Sequence, residues 1–285
     1  MNVAISSSHT TRQAAMNAAK AEQGAGLVIS GLSSGYRKRN IIQNVSLPAL
    51  AAGGVYSLIG PNAAGKSTLM RALAGLQPAK GSVSLDGFEL VGKPLSDWAR
   101  RVTYMPQTLP QGVSLNVLES VISALRASPM EGDLSGQDIK QYAVSVLERV
   151  GIVDLALRNL GHLSGGQRQL VSLAQVLARN PKVLLLDEPI SALDLKHQFR
   201  VMRLVQELAR ERNMIVIVVL HDLSVAARWS DGIVMLAQGA VVATGTPAEA
   251  ITPATLGQVY GVQARVGHCE QGHMQVMIDD ELGAD

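Results

Sequence analysis

The chain has 285 residues, 47% of them hydrophobic and 17% charged, a composition typical of a globular protein with a large buried core. Its 25 basic and 23 acidic residues leave a formal net charge of +2, and only 3% of the residues are aromatic. We therefore expect no nucleic-acid partner, because this composition provides neither an attractive field for phosphates nor aromatic platforms for bases.

The first 26 residues are rich in Ala, Ser, Thr and Gln and lack the basic start and the compact apolar centre of a secretory signal. We interpret residues 1–26 as a disordered leader. No stretch of the sequence approaches the roughly 20 apolar residues of a membrane-spanning helix, so we expect any work at a membrane to be done through a partner. The single cysteine, Cys269, excludes an internal disulfide and fits a reducing compartment. Its neighbours His268 and His273 leave too few ligands for a metal site, which favours a surface turn.

Short β-rich runs separated by turn residues come first: LVIS, NVSL, VYSLIG, SVSL and VTYM. A helical pattern follows from Ser114 to about Gly161. The later runs VLLLD and MIVIVVL are almost wholly apolar, which is typical of parallel strands buried on both faces. Helices predicted at Gln167–Arg179 and Leu195–Arg212 connect these strands to GIVMLAQGAVVATG as βαβ units. After Thr252 we predict a short helix and a weak strand pair. The pattern indicates an α/β core with a helical insertion.

The stretch GPNAAGKST has the Gly-x4-Gly-Lys-Ser spacing of a phosphate-binding loop, and it lies between an apolar strand, Val55–Ile59, and a predicted helix. Glycines let backbone N–H groups surround a phosphate, and the helix start adds positive potential. Lys66 is expected to reach the outer phosphates, and Ser67 to place its hydroxyl on Mg²⁺. The predicted ATP-binding residues of the loop are Gly60, Pro61, Asn62, Ala63, Ala64, Gly65, Lys66, Ser67 and Thr68.

The run VLLLDEP ends an apolar strand with two carboxylates. We expect Asp187 to hold the magnesium shell and Glu188 to polarise the attacking water as a general base. A solvated acidic pair at a strand end is the alternative, which the phosphate loop makes the weaker one. These two motifs alone indicate a P-loop nucleoside triphosphatase, a class that includes kinases, GTPases, helicases and transport motors.

A second predicted anion site lies at LSGGQRQ, residues 163–169, where small residues begin a helix. Together with LLLDEP, SALD at 191–194 and LHD at 220–222, this stretch resembles the ATP-binding cassette (ABC) family over residues 27–245. The resemblance implies a P-loop NTPase (RecA-like) α/β core with an antiparallel β subdomain and an inserted α-helical subdomain. The expected division is an ATPase domain at 27–250, its helical subdomain at about 108–165, and a C-terminal extension at 251–285.

The resemblance also implies that two copies enclose two ATP molecules, the signature of one copy closing over the phosphate loop of the other. A side chain at Gly166 is then expected to collide with the partner's nucleotide. The sequence departs from the family pattern at Ala63, where glycine is common, and at Ile190, where Thr or Ser is usual. The resemblance implies that Tyr36 stacks on adenine and that Gln107, Ser67 and Asp187 contact Mg²⁺. It implies a catalytic pair of Glu188 with His221, the histidine acting as a switch on the γ-phosphate, and an interface aspartate at Asp194. The residues implied to bind the partner's ATP are Ser164, Gly165, Gly166 and Gln167.

A single cassette without a fused membrane domain resembles a stand-alone importer ATPase. The stretches LVSLAQVLARNP, SALDLKHQ and GTPAEAITPATLGQVYGVQARV are similar to those of iron–siderophore, haem and vitamin B12 import ATPases. That resemblance implies a homodimer docked on a polytopic permease dimer at the cytoplasmic face of the plasma membrane, with an extracytoplasmic binding protein. Three alternatives stay open: an importer of another small solute (metal ion, phosphate or amino acid), a soluble ABC switch on ribosome or DNA, and a P-loop kinase or nucleotide sensor.

Overall fold

The computed structural model describes residues 26–36, 39–107, 115–127 and 136–283. Residues 1–25 of the predicted leader lie outside these ranges. So does residue 108, the predicted start of the helical subdomain. The strands are β1 (Leu27–Tyr36), β2 (Arg39–Leu50), β3 (Val55–Ile59), β4 (Ala79–Leu85), β5 (Phe88–Glu89), β6 (Val102–Met105), β7 (Val183–Asp187), β8 (Ile215–Val219), β9 (Gly232–Ala237), β10 (Ala240–Gly245), β11 (Val262–His268) and β12 (Met274–Glu281). The helices are α1 (Lys66–Leu73), α2 (Leu95–Ala99), α3 (Val117–Arg126), α4 (Gly136–Val150), α5 (Gly165–Ala178), α6 (Leu195–Glu211), α7 (Leu223–Trp229), α8 (Pro247–Ala250) and α9 (Pro253–Tyr260).

The central sheet has the strand order β10-β9-β3-β8-β7-β6, parallel except for the edge strand β10. Both β7 and β8 are buried along their whole length. Their side chains alternate between two cores: Leu184 and Leu186 face one, while Leu185 faces the other. Burial on both faces explains why these strands are almost wholly apolar, as the sequence predicts.

One face of the central sheet is covered by α1 and by a second, antiparallel sheet of order β2-β1-β4-β5. Residues on one face of this second sheet, such as Ile29, Leu32 and Val83, enter the shared core and are at most 1% exposed. The antiparallel β subdomain expected from the family resemblance is therefore present.

The opposite face carries the inserted helices α3 and α4 together with α5. A capping box begins α3: the side chain of Asn116 accepts from the backbone N–H of Glu119, and the Glu119 carboxylate accepts from the backbone N–H of Asn116. The insertion is held to the sheet by apolar burial, with Val121 and Leu147 fully inaccessible. Within the described ranges, every helix is too short or too polar to cross a bilayer.

The C-terminal extension joins the main core instead of standing apart, because Ile251 and Leu256 are buried with the residues of the central sheet. The predicted strand pair is the hairpin β11–β12. Cys269 lies in its turn, where its N–H donates to the carbonyl of His273 at 2.9 Å. Among the described residues no group of three or more His, Cys, Asp or Glu is placed to hold a metal.

Candidate active site

Four predicted site residues lie at or just after the carboxyl ends of four adjacent parallel strands. Gly60 follows β3, His221 comes shortly after β8, Asp187 ends β7, and Gln107 comes shortly after β6. The order β3-β8-β7-β6 places these ends side by side at one edge of the sheet. Ligands of open α/β sheets bind at this edge.

The phosphate loop leaves β3 in a conformation that requires glycine at its start. Gly60 has φ +146°, and an added Cβ would lie 2.0 Å from the carbonyl oxygen of Leu236. Gly65, at φ +103°, precedes α1, and no side chain caps the first turn of this helix, which leaves its N–H groups available to an anion. Ala63 also has a positive φ, +63°. The departure from glycine at this position therefore costs the loop on the order of 1–2 kcal/mol of backbone strain.

Lys66 is 7% exposed, and its side chain folds back onto the phosphate loop. Its Nζ donates to the carbonyl oxygens of Gly60 and Pro61 at 2.6 and 2.8 Å. Burial lowers the pKa of Lys66, and the negative charges of Glu188 and Asp187 oppose that shift. Around it, Ala64, Gly65 and Thr68 are buried, whereas Asn62, Ala63 and Ser67 are exposed.

Asp187 is 2% exposed, and its two oxygens have different environments. Oδ2 accepts from the hydroxyl of Tyr104 at 3.0 Å, and burial with the nearby Asp187 charge raises the pKa of Tyr104 to about 12. Oδ1 is buried and has no hydrogen-bond partner among the described residues. A buried oxygen of this kind is costly unless something compensates it. A carboxylate with one unused oxygen fits the oxygen donors that Mg²⁺ prefers.

Glu188 is held from both sides by two of the predicted site residues. Its Oε2 accepts from Nε2 of Gln107 at 2.8 Å, and its Oε1 lies 2.6 Å from Nε2 of His221. The Glu188 backbone has φ +54°, a left-handed conformation that is rare for residues other than glycine. The structure therefore brings the predicted general base, glutamine and switch histidine into one cluster around a single carboxylate.

Tyr36 ends β1 with its side chain 44% exposed, and its hydroxyl accepts from Arg71 at 2.9 Å. Hydrogen bonds to Tyr36 and Tyr104 raise the pKa of Arg71. Arg71 therefore connects the tyrosine predicted to stack on adenine with the tyrosine that holds Asp187. Neither Arg71 nor Tyr104 was predicted from the sequence as a site residue. The available signal was position: Arg71 lies in the helix that the phosphate loop begins, and Tyr104 lies in the strand beside β7.

The signature residues form the start of α5, two residues earlier than predicted. Ser164 caps the helix: its Oγ accepts from the backbone N–H of Gln167, and the side chain of Gln167 accepts from the backbone N–H of Ser164. A Cβ added to Gly165 would meet no atom within 4 Å, whereas one added to Gly166 would lie 2.9 Å from the carbonyl oxygen of Ala192. Packing inside the chain already requires glycine at 166, whereas Gly165 is open to a ligand. The expected collision of a Gly166 side chain with the partner's nucleotide stays a prediction.

The signature lines a cavity of about 580 Å³ with Asp194 and His197, and no phosphate-loop residue lines it. Asp194 caps α6 by accepting from the backbone N–H of His197 at 2.9 Å and from its ring at 2.8 Å. These hydrogen bonds, the backbone one first, lower the pKa of Asp194. Within one chain the signature thus faces a different space from the phosphate loop, as expected if its anion is supplied by another molecule.

Comparisons with known proteins agree with one another. The ABC transporter family profile matches residues 42–191. The hemin import ATP-binding protein HmuV of Bordetella avium is 41% identical over 236 residues, covering 80% of this chain and 89% of the relative. An uncharacterized ABC transporter ATP-binding protein of Methanocaldococcus jannaschii is 36% identical over 84% of this chain and 93% of its own length. A solved dimer of an ATP-binding cassette with ADP and Pi is 27% identical with a TM-score of 0.72, over 78% of this chain and 98% of that one.

Proposed function

The chain belongs to the ABC transporter family, whose cassettes are ATPases coupled to transport, and from this premise we propose that it powers the import of haem or a related metal chelate. The observation that carries the catalytic part is the cluster of Gln107 and His221 around Glu188, beside a buried Lys66. The proposal of a metal chelate as cargo rests on the relative named as a hemin import protein, which the chain matches over most of both lengths.

Glu188 is the general base in this proposal. Its carboxylate accepts a proton from the attacking water once the contacts to Gln107 and His221 rearrange around the γ-phosphate. His221 is 47% exposed at its side chain, so it can turn from Glu188 toward a phosphate oxygen without unpacking the core. Lys66 exchanges its loop carbonyls for the outer phosphates, and Tyr36 offers a half-exposed ring to the adenine.

Mg²⁺ is the metal that suits this donor set. Asp187 contributes its unpartnered Oδ1, Ser67 an exposed hydroxyl at the first turn of α1, and Gln107 an amide oxygen. When bound, the ion would neutralise phosphate charge, in addition to the positive charge that Lys66 supplies from the loop.

The working unit is a homodimer in which Ser164, Gly165, Gly166 and Gln167 of one copy contact the ATP on the phosphate loop of the other. Three features support this arrangement: the open space at Gly165, the cavity shared by the signature and Asp194, and the dimeric cassette structure among the similar proteins. A dimer of this kind is isologous, and each nucleotide is buried between one loop and one signature.

Mixing two inactive variants tests the shared sites. Gly165→Asp places a charge opposite the partner's phosphate, yet an acidic residue at a helix start is compatible with folding. A heterodimer of Gly165→Asp with Lys66→Ala keeps one intact site, because both lesions fall on the other site. An equal mixture is expected to recover at most about a quarter of wild-type ATPase activity, since random pairing makes half the dimers mixed and each has one live site; coupling between the two sites lowers this figure. Phosphate release is measured at constant total protein; a mixture no more active than its two components contradicts shared sites that act independently of each other.

The cargo is haem, a ferric siderophore or a cobalamin, delivered by an extracytoplasmic binding protein to a polytopic permease. We place the chain at the cytoplasmic face of the plasma membrane, docked on that permease through the inserted helices and the surface near Gln107. Closure of the two copies on ATP would then shift the permease between conformations.

Deletion of the gene is expected to abolish growth on one of these chelates as the sole iron or corrinoid source. Restoration by the wild-type chain, and not by Glu188→Gln, is the matched control. Normal uptake of every chelate, with loss of amino-acid, phosphate or free-metal uptake, would assign the cassette to another importer branch. The ATPase assignment would be unaffected by that outcome.

A further inference from the structure

Gln169 is a buried amide that joins the signature helix to the backbone of the predicted general base. It is 7% exposed, and its Nε2 donates to the carbonyl oxygen of Glu188 at 2.6 Å. Its Oε1 accepts from the backbone N–H of Ala192 at 3.0 Å. These partners fix the orientation of the amide, because the flipped form would oppose two oxygens and two N–H groups. Both polar ends of the side chain are therefore used.

The bond to Glu188 holds a residue whose backbone is strained. A left-handed conformation is strained for a residue other than glycine and persists only where neighbours enforce it. At Glu188, with φ +54°, the carbonyl oxygen accepts from Gln169 and also from the hydroxyl of Ser191 at 3.1 Å. Of these two donors, Gln169 is the buried one and makes the shorter bond.

The position of Gln169 on α5 also connects Glu188 to the signature residues at the start of this helix. Gln169 lies five residues after the cap Ser164, within the second turn of the same helix. A displacement of the helix start moves the amide with it, because an α-helix behaves as a rigid element over such a short distance. In the homodimer proposed above, the signature contacts the partner's nucleotide, whereas Glu188 serves the nucleotide of its own chain.

We infer that Gln169 is a positioning residue that couples the two ATP sites of the dimer, transmitting occupancy at the signature to the backbone of Glu188 in the same chain. This inference rests on the proposed function. It requires that nucleotide occupancy at one site alter hydrolysis at the other through α5, and that the affinity for ATP not depend on the Gln169 amide.

The test compares the wild-type chain with Gln169→Met, which keeps the side-chain length and removes both hydrogen bonds. ATPase rates are measured against ATP concentration, with nucleotide affinity and thermal unfolding measured on the same samples. We expect kcat to fall about 10- to 100-fold, the loss typical of a misplaced catalytic group. We also expect the Hill coefficient to fall toward 1 while the affinity for ATP stays within about threefold.

Two further variants separate positioning from stability. Gln169→Glu keeps the acceptor for Ala192 but places an oxygen opposite the Glu188 carbonyl, so we expect it to lose as much activity as Gln169→Met. Gln206→Met removes another partly buried glutamine, which donates to the carbonyl of Trp229, and is expected to keep the wild-type kcat and Hill coefficient. If Gln169→Met does not fold, Ser191→Ala removes the other donor to Glu188 and is expected to act in the same direction.

Wild-type kcat and cooperativity in Gln169→Met would overturn the inference, as would equal losses in Gln206→Met. Failure of the proposed function has a different signature: the wild-type chain would not hydrolyse ATP.

Discussion

Glu188→Gln is expected to reduce ATP turnover about 100- to 10,000-fold while ATP still binds. The amide has the shape of the carboxylate and can still pair with Gln107 and His221, but it cannot accept a proton from water. With the nucleotide retained, the variant is expected to accumulate as an ATP-bound dimer. Phosphate release gives the rate, equilibrium titration gives the affinity, and gel filtration with ATP and Mg²⁺ gives the dimer.

Glu211→Gln is a matched control, because it makes the same chemical change in an exposed pair with Arg149 that is not part of the Glu188 cluster. Exposed pairs of this kind contribute at most about 1 kcal/mol, so turnover should be that of the wild-type chain. A Glu188→Gln chain that hydrolyses ATP at the wild-type rate would remove Glu188 from the role of general base.

Lys66→Met is expected to weaken ATP binding by about 10- to 100-fold and to abolish most turnover. A hydrogen bond to a charged group is worth about 1.5–3 kcal/mol, which corresponds to that range of affinity. Met keeps an apolar chain of similar length in the buried space, so the loop loses the charge and not its packing. Nucleotide affinity is measured by fluorescence titration and turnover by phosphate release.

Two carbonyl oxygens, those of Gly60 and Pro61, lose their donor in Lys66→Met, so thermal unfolding is recorded with the binding data. Lys182→Met is the control, because its ammonium pairs with Asp86 at the surface. A folded Lys66→Met chain with wild-type affinity for ATP would show that the lysine does not serve the phosphates.

The fold class and most candidate site residues can be predicted from the residue pattern alone. These signals are local: the Gly-x4-Gly-Lys-Ser spacing predicts a loop before a helix, and the almost wholly apolar runs of β7 and β8 indicate strands buried on both faces. The order of strands was not readable in this way. The start of α5 was readable in part: the small residues of the signature predict a helix start, and the helix begins among them at Gly165, two residues before the predicted range that began at Gln167.

Contacts between side chains that are distant in sequence depend on how the strands and helices are arranged in the fold. Gln107 and Glu188 are 81 residues apart in sequence, and their contact exists because β6 and β7 are parallel neighbours whose carboxyl ends lie at one edge. Tyr104 reaches Asp187 for the same reason.

The close contacts of the signature helix depend on tertiary structure as well. Gly166 lies against the carbonyl of Ala192, and Gln169 reaches the carbonyl of Glu188, because the chain after β7 turns back over α5 through a left-handed residue. A pattern of residue types gives the period and burial of each element, but such contacts depend on the relative placement of elements, which is set by packing across the whole core.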